Sequence, residues 1–190
     1  RSRRALFRVS GSDRSKFLQA LLTSDVAGLK EGEGQASLFL DNKGHVRGAL
    51  DLWAEDDAVL VGCDVGFVES VLPDLGRYVL AADVSIEDRR DQETVIAVHG
   101  AGSDDSLSGA GLPIPAEAPH AHIAGKIAGV EVRFARTPDL GTPGVEVHVP
   151  TSAIDNVWAA LEETMCDFVP ACVGWNIAEV LRVEAGITSF

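Results

Sequence analysis

Basic residues, cysteines and long apolar runs are all scarce in this sequence, and each scarcity excludes something. Only 16 Lys and Arg stand against 29 Asp and Glu, a formal net charge of −13 over 190 residues. A surface that tracks phosphates needs a field of the opposite sign, so the charge argues against broad binding of nucleic acid or anionic membranes and leaves room only for a local basic patch. Three cysteines, Cys63, Cys166 and Cys172, are too few and odd in number for a disulfide framework, which points to a reducing cytoplasm. No stretch approaches the roughly 20 apolar residues of a membrane span, and the apolar part of the opening RSRRALFRV is too short for a signal peptide. Low-complexity tracts and short-period repeats are missing as well. The reading is of a soluble, cytoplasmic protein. The chain begins at Arg1 without a methionine and stops four residues after Gly186, which raises the expectation of a fragment.

What the sequence has is apolar material, 46% of its residues, enough for the core of one large domain or two small ones. Its periodicity switches between strand and helix. ALFRVSG (Ala5 to Gly11) alternates and ends on turn residues, as a strand does. Ser10 or Ser12 can cap the following helix, whose face is Phe17, Leu18, Leu21 and Leu22. Three short runs follow, Ala36 to Leu40, His45 to Trp53 and Ala58 to Cys63, separated by the turn sequences DNKG and AEDD, which predicts an antiparallel meander. Asp64 can cap a helix carrying Val68, Val71, Leu72 and Leu75, with a kink or restart expected at Pro73. Asp83 to Asp88 returns as a strand.

The second half repeats the theme from Thr94. TVIAVHG reads as a strand, and Ala101 to Ala118 as a loop or a poorly formed helix. Val130 to Ala135 and Val145 to Pro150 alternate like paired strands, and Thr151 or Ser152 caps a helix with the stripe Ile154, Val157, Trp158 and Leu161. The fold class is therefore α+β, two ferredoxin-like subdomains with antiparallel sheets. Their expected limits are 1–92 and 93–168, with 169–190 as a C-terminal helix.

That last stretch, NIAEVLRVEAGITSF, carries a puzzle. Ile177, Val180 and Leu181 stand at i, i+3 and i+4 of an amphipathic helix, and the i+7 position is Glu184. A carboxylate on a buried stripe is costly unless it is paired or hydrogen-bonded. Either Glu184 accepts a ligand, or it ends a frayed helix in water or beside Arg182.

Three landmarks in order, ALFRVSGSDRSKFLQALLTSDVAGLKEGEGQASLFLDNKGHV, LGRYVLAADVSIED and LRVEAGITSF, resemble the folate-binding superfamily that contains the glycine-cleavage T-protein (aminomethyltransferase) and the YgfZ-type proteins. The resemblance spans most of the chain and is weakest from about Ala101 to Lys126. It implies two related α+β subdomains around a tetrahydrofolate pocket, onto which the C-terminal helix packs, with the family's small barrel domain absent here. It also implies that Glu184, which matches the glutamate of the LxxEAG-like landmark, contacts the pterin. A pterin's adjacent N–H donors suit a bidentate carboxylate acceptor.

Departures from the family set the expected activity. The T-protein's paired aspartates, in a Gly-Ile-x-Asp-Asp-Leu-like pattern, match Gly48 and Ala49 when Gly44, Val46 and Leu50 are aligned, so Ala49 stands at the catalytic position. The family's tyrosine before the Ser of the preceding strand is Ala36. A methyl group supplies no acid or base for aminomethyl transfer. Asp51, on the same strand face, would replace the catalytic group only in a rearranged pocket, and otherwise reads as a solvated or ion-paired residue. Arg47 on that face could meet the glutamate tail of folate or pair with Asp51. Trp175 could stack on the pterin or its aminobenzoyl tail, or pack in a core. The YgfZ-type proteins also lack the aspartate pair, and the resemblance to them implies support of iron–sulfur protein assembly or repair, with iron–sulfur proteins or assembly factors as partners. Their Lys-Gly-Cys-x-x-Gly-Gln-Glu signature would lie beyond the end of this chain.

The remaining features have plain readings. Cys63 closes an apolar strand as a buried structural thiol, and CDFVPAC lacks the CxxC spacing of a metal site. His120 and His122 could share a strand face but show no third ligand, and AGSDDSLSGAG lacks a nucleotide-loop pattern. The expectation is a non-catalytic tetrahydrofolate binder, with a folate-dependent aminomethyltransferase and a scaffold that has lost the ligand as alternatives.

Overall fold

The structure is a computed structural model whose described residues are 3–80, 82–164 and 172–188. The chain divides into two compact units, Arg1–Thr94 and Val95–Phe190. In the first, β1 (Arg4–Ser10), β2 (Gly34–Leu40), β3 (Val46–Ala54), β4 (Ala58–Asp64) and β5 (Ser85–Asp88) form one sheet in the order β2-β3-β4-β1-β5. Neighbouring strands in it run antiparallel. Period-two alternation decides its faces. Ala5, Phe7 and Val9 stand opposite Cys63, Val61 and Val59, and Leu50 and Leu52 stand opposite Cys63 and Val61. These residues share one core with Phe17 and Leu18 of α1 (Arg14–Leu21) and with Val68, Val71 and Leu75 of α2 (Val65–Gly76). Burying each such side chain is worth about 1.5–3 kcal/mol.

Local chemistry closes the connections. In the β2–β3 hairpin Asp41 Oδ1 accepts from the backbone N–H of Lys43 at 2.8 Å and of His45 at 2.9 Å, and Gly44 takes the left-handed φ of +81° that the turn requires. Asp64 caps α2 as its type and position predict, its Oδ1 accepting from Gly66 N–H at 2.7 Å. Two expectations are corrected. Neither Ser10 nor Ser12 caps α1, whose N-cap is Asp13 without a side-chain bond. Ser12 instead donates its N–H and its hydroxyl to Asp83 Oδ2 at 3.0 and 2.8 Å, a partner 71 positions away that local spacing cannot reveal. Nor does α2 restart at Pro73; the helix runs through it to Gly76. So near the helix end the missing N–H removes a single bond, while Val68, Val71 and Leu75 stay fully buried.

In the second unit β6 (Glu93–His99), β7 (His122–Ile127), β8 (Val130–Arg136) and β9 (Gly144–Pro150) form a sheet in the order β6-β9-β8-β7. Val145, Val147 and Val149 point to one side and pack with Phe134, with Leu107 of α3 (Ser103–Gly109) and with Val157 and Leu161 of α4 (Ile154–Thr164). The segment Ala101 to Ala118, read as a loop or a poorly formed helix, holds the short helix α3, and β7 adds a strand that the sequence did not reveal. Arg136 pins this region: its guanidinium donates to both carboxylate oxygens of Asp104 at 2.7 and 3.0 Å and to the Pro115 carbonyl at 2.7 Å. Thr151 and Ser152 lie in a 3-10 turn ahead of α4. Trp158, expected in the buried stripe, is 41% exposed; the helix packs on its core through Val157 and Leu161, with Ile154 and Ala160 partly buried beside them.

The C-terminal helix α5 spans Trp175–Glu184, and none of its residues is buried. Its apolar stripe is as predicted in phase but not in environment, since Ile177, Val180 and Leu181 remain between 40% and 55% exposed. Among the described residues both sheets are open, without a barrel, and no helix is long and apolar enough to cross a membrane.

Candidate functional site

Strand β3 shows why alternation matters for function. Gly48 faces the helices: a Cβ there would stand 2.8 Å from Val71 Cγ2, so glycine lets α2 approach. Ala49 lies on the opposite face, half-buried and opposite Leu38. Asp51, two residues on, stands opposite Ala36 and Gly62 and is ion-paired with Arg4. Arg4 in turn lies 5.8 Å from the centroid of the Trp53 ring, within cation–π range. The Trp53 ring fills the space over Gly62, where a Cβ would stand 2.9 Å from Cζ3. Asp51 is therefore one layer of a Trp–Arg–Asp stack. The ion-paired reading of this residue fits the structure.

Arg47 does not pair with Asp51. Its Nη2 donates to Asp74 Oδ2 at 3.0 Å, while Arg77 Nη1 takes Asp74 Oδ1 at 2.8 Å. Two guanidinium groups share one carboxylate there, so a positive charge is left over on the exposed end of the strand.

Glu184 is the last residue of α5 and exposed. Beyond it the chain makes a Schellman stop. Gly186 N–H donates to the Val183 carbonyl at 3.0 Å, Ile187 N–H to the Arg182 carbonyl at 3.1 Å, and Gly186 holds φ +71°. Arg182 is engaged elsewhere, with Glu179 at 3.0 Å and with the Ile187 carbonyl. Glu184 forms no hydrogen bond or ion pair among the described residues. A carboxylate in the last turn also faces the negative end of the helix dipole, a penalty of about 0.3–1 kcal/mol. Local stability therefore gives no reason for an acid at this position.

Trp175 opens α5 and is half exposed. Nine residues at roughly 100° each put it on the side of the helix opposite Glu184. The two side chains therefore do not share a face of α5.

The sequence reading overlooked a polar row on β9. Glu146 and His148 are buried on the face opposite Val145 and Val147, with His148 Nε2 3.4 Å from Glu146 Oε2. His99 of β6 packs its ring over Gly144. Burial lowers the pKa of His99 below its ordinary value, and the charge of Glu146 opposes that shift. Alternation in VEVHV marked these residues as one face but could not mark the face as buried.

The cysteines hold no cluster among the described residues, where no group of three His, Cys, Asp or Glu could bind a metal. Cys63 is buried in the first core with its thiol pushed up to about 12, chiefly by desolvation. Cys172 is exposed, 3.8 Å from Glu162 Oε1. Cys166 lies outside the described residues. His120 is buried at φ 61° ahead of β7, which contains His122, so the two histidines do not share a strand.

The chain is 27% identical over 186 residues to an aminomethyltransferase of Chloroherpeton thalassium, covering 97% of this chain and 51% of that protein. It is 31% identical over 180 residues to an aminomethyltransferase of Exiguobacterium sibiricum, covering 93% and 48%. The chain thus spans about half the length of the curated relatives it matches. The crystal structure of glycine cleavage system aminomethyltransferase T from Bartonella henselae shares the fold, with a TM-score of 0.84 at 21% identity over 99% of this chain and 50% of that one. The model of the GCVT N-terminal domain matches residues 2–190, and the chain belongs to that family.

Proposed function

We propose that the chain is a tetrahydrofolate-binding domain in which Glu184 accepts the N–H donors of the pterin, and that it does not by itself transfer an aminomethyl group. The observation that carries the binding half is the solvent-facing carboxylate of Glu184, held on a capped helix end without a partner among the described residues. Adjacent ring N–H donors are the complement of such an acceptor, and charge-assisted pairs of this kind are the strong ones. Tetrahydrofolate, when bound, supplies the nitrogen that carries a one-carbon unit. The protein's part is to hold the pterin edge.

The non-catalytic half rests on β3. Ala49 offers a methyl group where the family resemblance places a carboxylate, and the nearest acid on that face, Asp51, is committed to Arg4. Moving a proton at the folate nitrogen needs a group free to give and take it. A binder without that group is suited to the supporting role of the YgfZ-type proteins, assembly or repair of iron–sulfur proteins. The second reading is aminomethyl transfer, favoured by the names of the relatives.

Calorimetric titration of tetrahydrofolate into the 190-residue chain and into Glu184→Gln tests the first reading. We expect micromolar binding that weakens at least tenfold in the variant, about 1.4 kcal/mol. Equal affinity in both would remove the pterin from Glu184, and no binding to either would leave a scaffold. Production of methylene-tetrahydrofolate from an aminomethyl donor would establish the second reading instead.

A further inference from the structure

Arg182 is the basic residue in the last turn of α5, and an arginine there ordinarily hydrogen-bonds the final helix carbonyls and offsets their partial negative charge. This one reaches further. Its guanidinium forks onto the carboxylate of Glu179, Nε to Oε2 at 3.0 Å and Nη2 to Oε1, and its Nη1 donates to the carbonyl of Ile187, beyond the Schellman stop. The Arg182 carbonyl meanwhile accepts the Ile187 N–H at 3.1 Å. One residue thus holds both polar backbone groups of Ile187, and Glu184 sits inside the loop they close. The side chain that does this is only 15% exposed, on a helix whose stripe of Ile177, Val180 and Leu181 stays at least 40% exposed.

Two further features suit a clamp better than a plain cap. Two residues of helix turn Arg182 about 200° away from Glu184, so the cation fixes the turn without pairing with the acid inside it, and Glu179 keeps its fork occupied. The far side of the turn is held as well. Gly141, in the β8–β9 connection at φ +67°, comes so close that a Cβ there would stand 2.6 Å from Cβ of Ala185 and 3.8 Å from Cδ1 of Ile187. The residue after Glu184 and the residue clasped by Arg182 therefore rest on one loop.

Resting on the assignment of Glu184 to the pterin, we propose that Arg182 is a positioning residue of that site: by tying Ile187 back to Glu179 it holds the end of α5 in one geometry, so that the Glu184 carboxylate meets the ligand already oriented. A pre-set acceptor loses less freedom on binding, which raises affinity without a new contact.

The test is a double-mutant cycle, read by calorimetric titration of tetrahydrofolate into the 190-residue chain, Arg182→Met, Glu184→Gln and the double variant, together with amide exchange of each ligand-free protein. Arg182→Met should weaken binding by roughly fivefold or more in the native background and by less than about twofold beside Glu184→Gln, because a residue acting through Glu184 loses its effect with it. Arg182→Lys keeps the charge but has no fork to span Glu179 and the Ile187 carbonyl, so it should recover only part of the loss. The Ile187 amide should exchange about tenfold faster in Arg182→Met, with the amides of β8 and β9 unchanged. No loss in Arg182→Met, equal losses in both backgrounds, full recovery with lysine, or unchanged exchange at Ile187 would overturn the proposal while leaving Glu184 its ligand. If Glu184→Gln binds as tightly as the native chain, or neither binds, the pterin assignment itself fails and the role of Arg182 fails with it.

Discussion

The two units of this protein put similar layers to different use. In the first, α1 and α2 sink Phe17, Leu18, Val68, Val71 and Leu75 into the sheet, and Gly48 clears the way for α2. In the second, α3 is seven residues long and buries two serines with one leucine. A cavity remains beside it, and α5 buries nothing. Both have complete antiparallel sheets, so the difference lies in helix support. The first unit is built to stay closed, whereas the second keeps open space beside α3 and α4 and, among the described residues, a carboxylate at Glu184 with no partner.

Core truncation probes that difference most strongly. Phe7→Ala should destabilise the first unit by about 3–5 kcal/mol, because a fully buried ring in a close-packed layer leaves a cavity that cannot collapse. Leu107→Ala in the second unit should lie near the lower end of the roughly 2–5 kcal/mol range, since neighbours bordering open space can relax. Urea unfolding measures both, and equal costs would erase the contrast. Next in size is Gly144→Ala. The added methyl would stand 2.6 Å from His99 Cε1 and 3.1 Å from Cγ, an overpacking worth about 1–3 kcal/mol. Most of the loss should return in a His99→Ala background, whereas no recovery would place the strain in the backbone of β9.

A smaller effect is the pH dependence of His99. With its folded pKa held below the ordinary value of about 6.5 by burial, the unfolded chain takes up this proton first. The stability contributed by the neutral ring is full above about pH 6.5 and is lost as the pH falls through the folded midpoint. Ring resonances followed by NMR should titrate below 6.5, and lower still in Glu146→Gln, where the opposing charge is gone. An upward move in that variant would reverse the assigned cause. The least disruptive probe is alkylation at pH 8. Cys172 should label in the native chain, while Cys63, with its thiol pushed up to about 12, should label only after unfolding.

Much of the first unit was legible because its signals are local. Alternation in ALFRVSG set which residues enter the core, DNKG made the predicted turn, and Asp64 capped the predicted helix. What escaped was long-range. The Ser12–Asp83 bonds join segments far apart in sequence, and the burial of Glu146 and His148 depends on cover that alternation does not encode. The site was legible in part. Periodicity put Glu184 on the stripe with Ile177, Val180 and Leu181, yet it says which side of a helix is apolar, not whether anything lies on it. The separation of Trp175 from Glu184 follows from residue spacing alone. Arg47 chose Asp74 over Asp51 because α2 folds back on the strand, a contact that only the tertiary structure supplies.

The Schellman stop at Gly186 makes the end of α5 behave like a dial. With the helix terminated there, the bearing of Glu184 is counted backward from the stop. Inserting one alanine between Trp175 and Ile177 would leave the carboxylate where it is and turn everything upstream by roughly 100°. The same insertion between Ala185 and Gly186 would move the stop away from the acid and swing Glu184 out of its setting. Length changes on the two sides of this one residue should therefore have opposite consequences for the acid, even though neither touches its side chain.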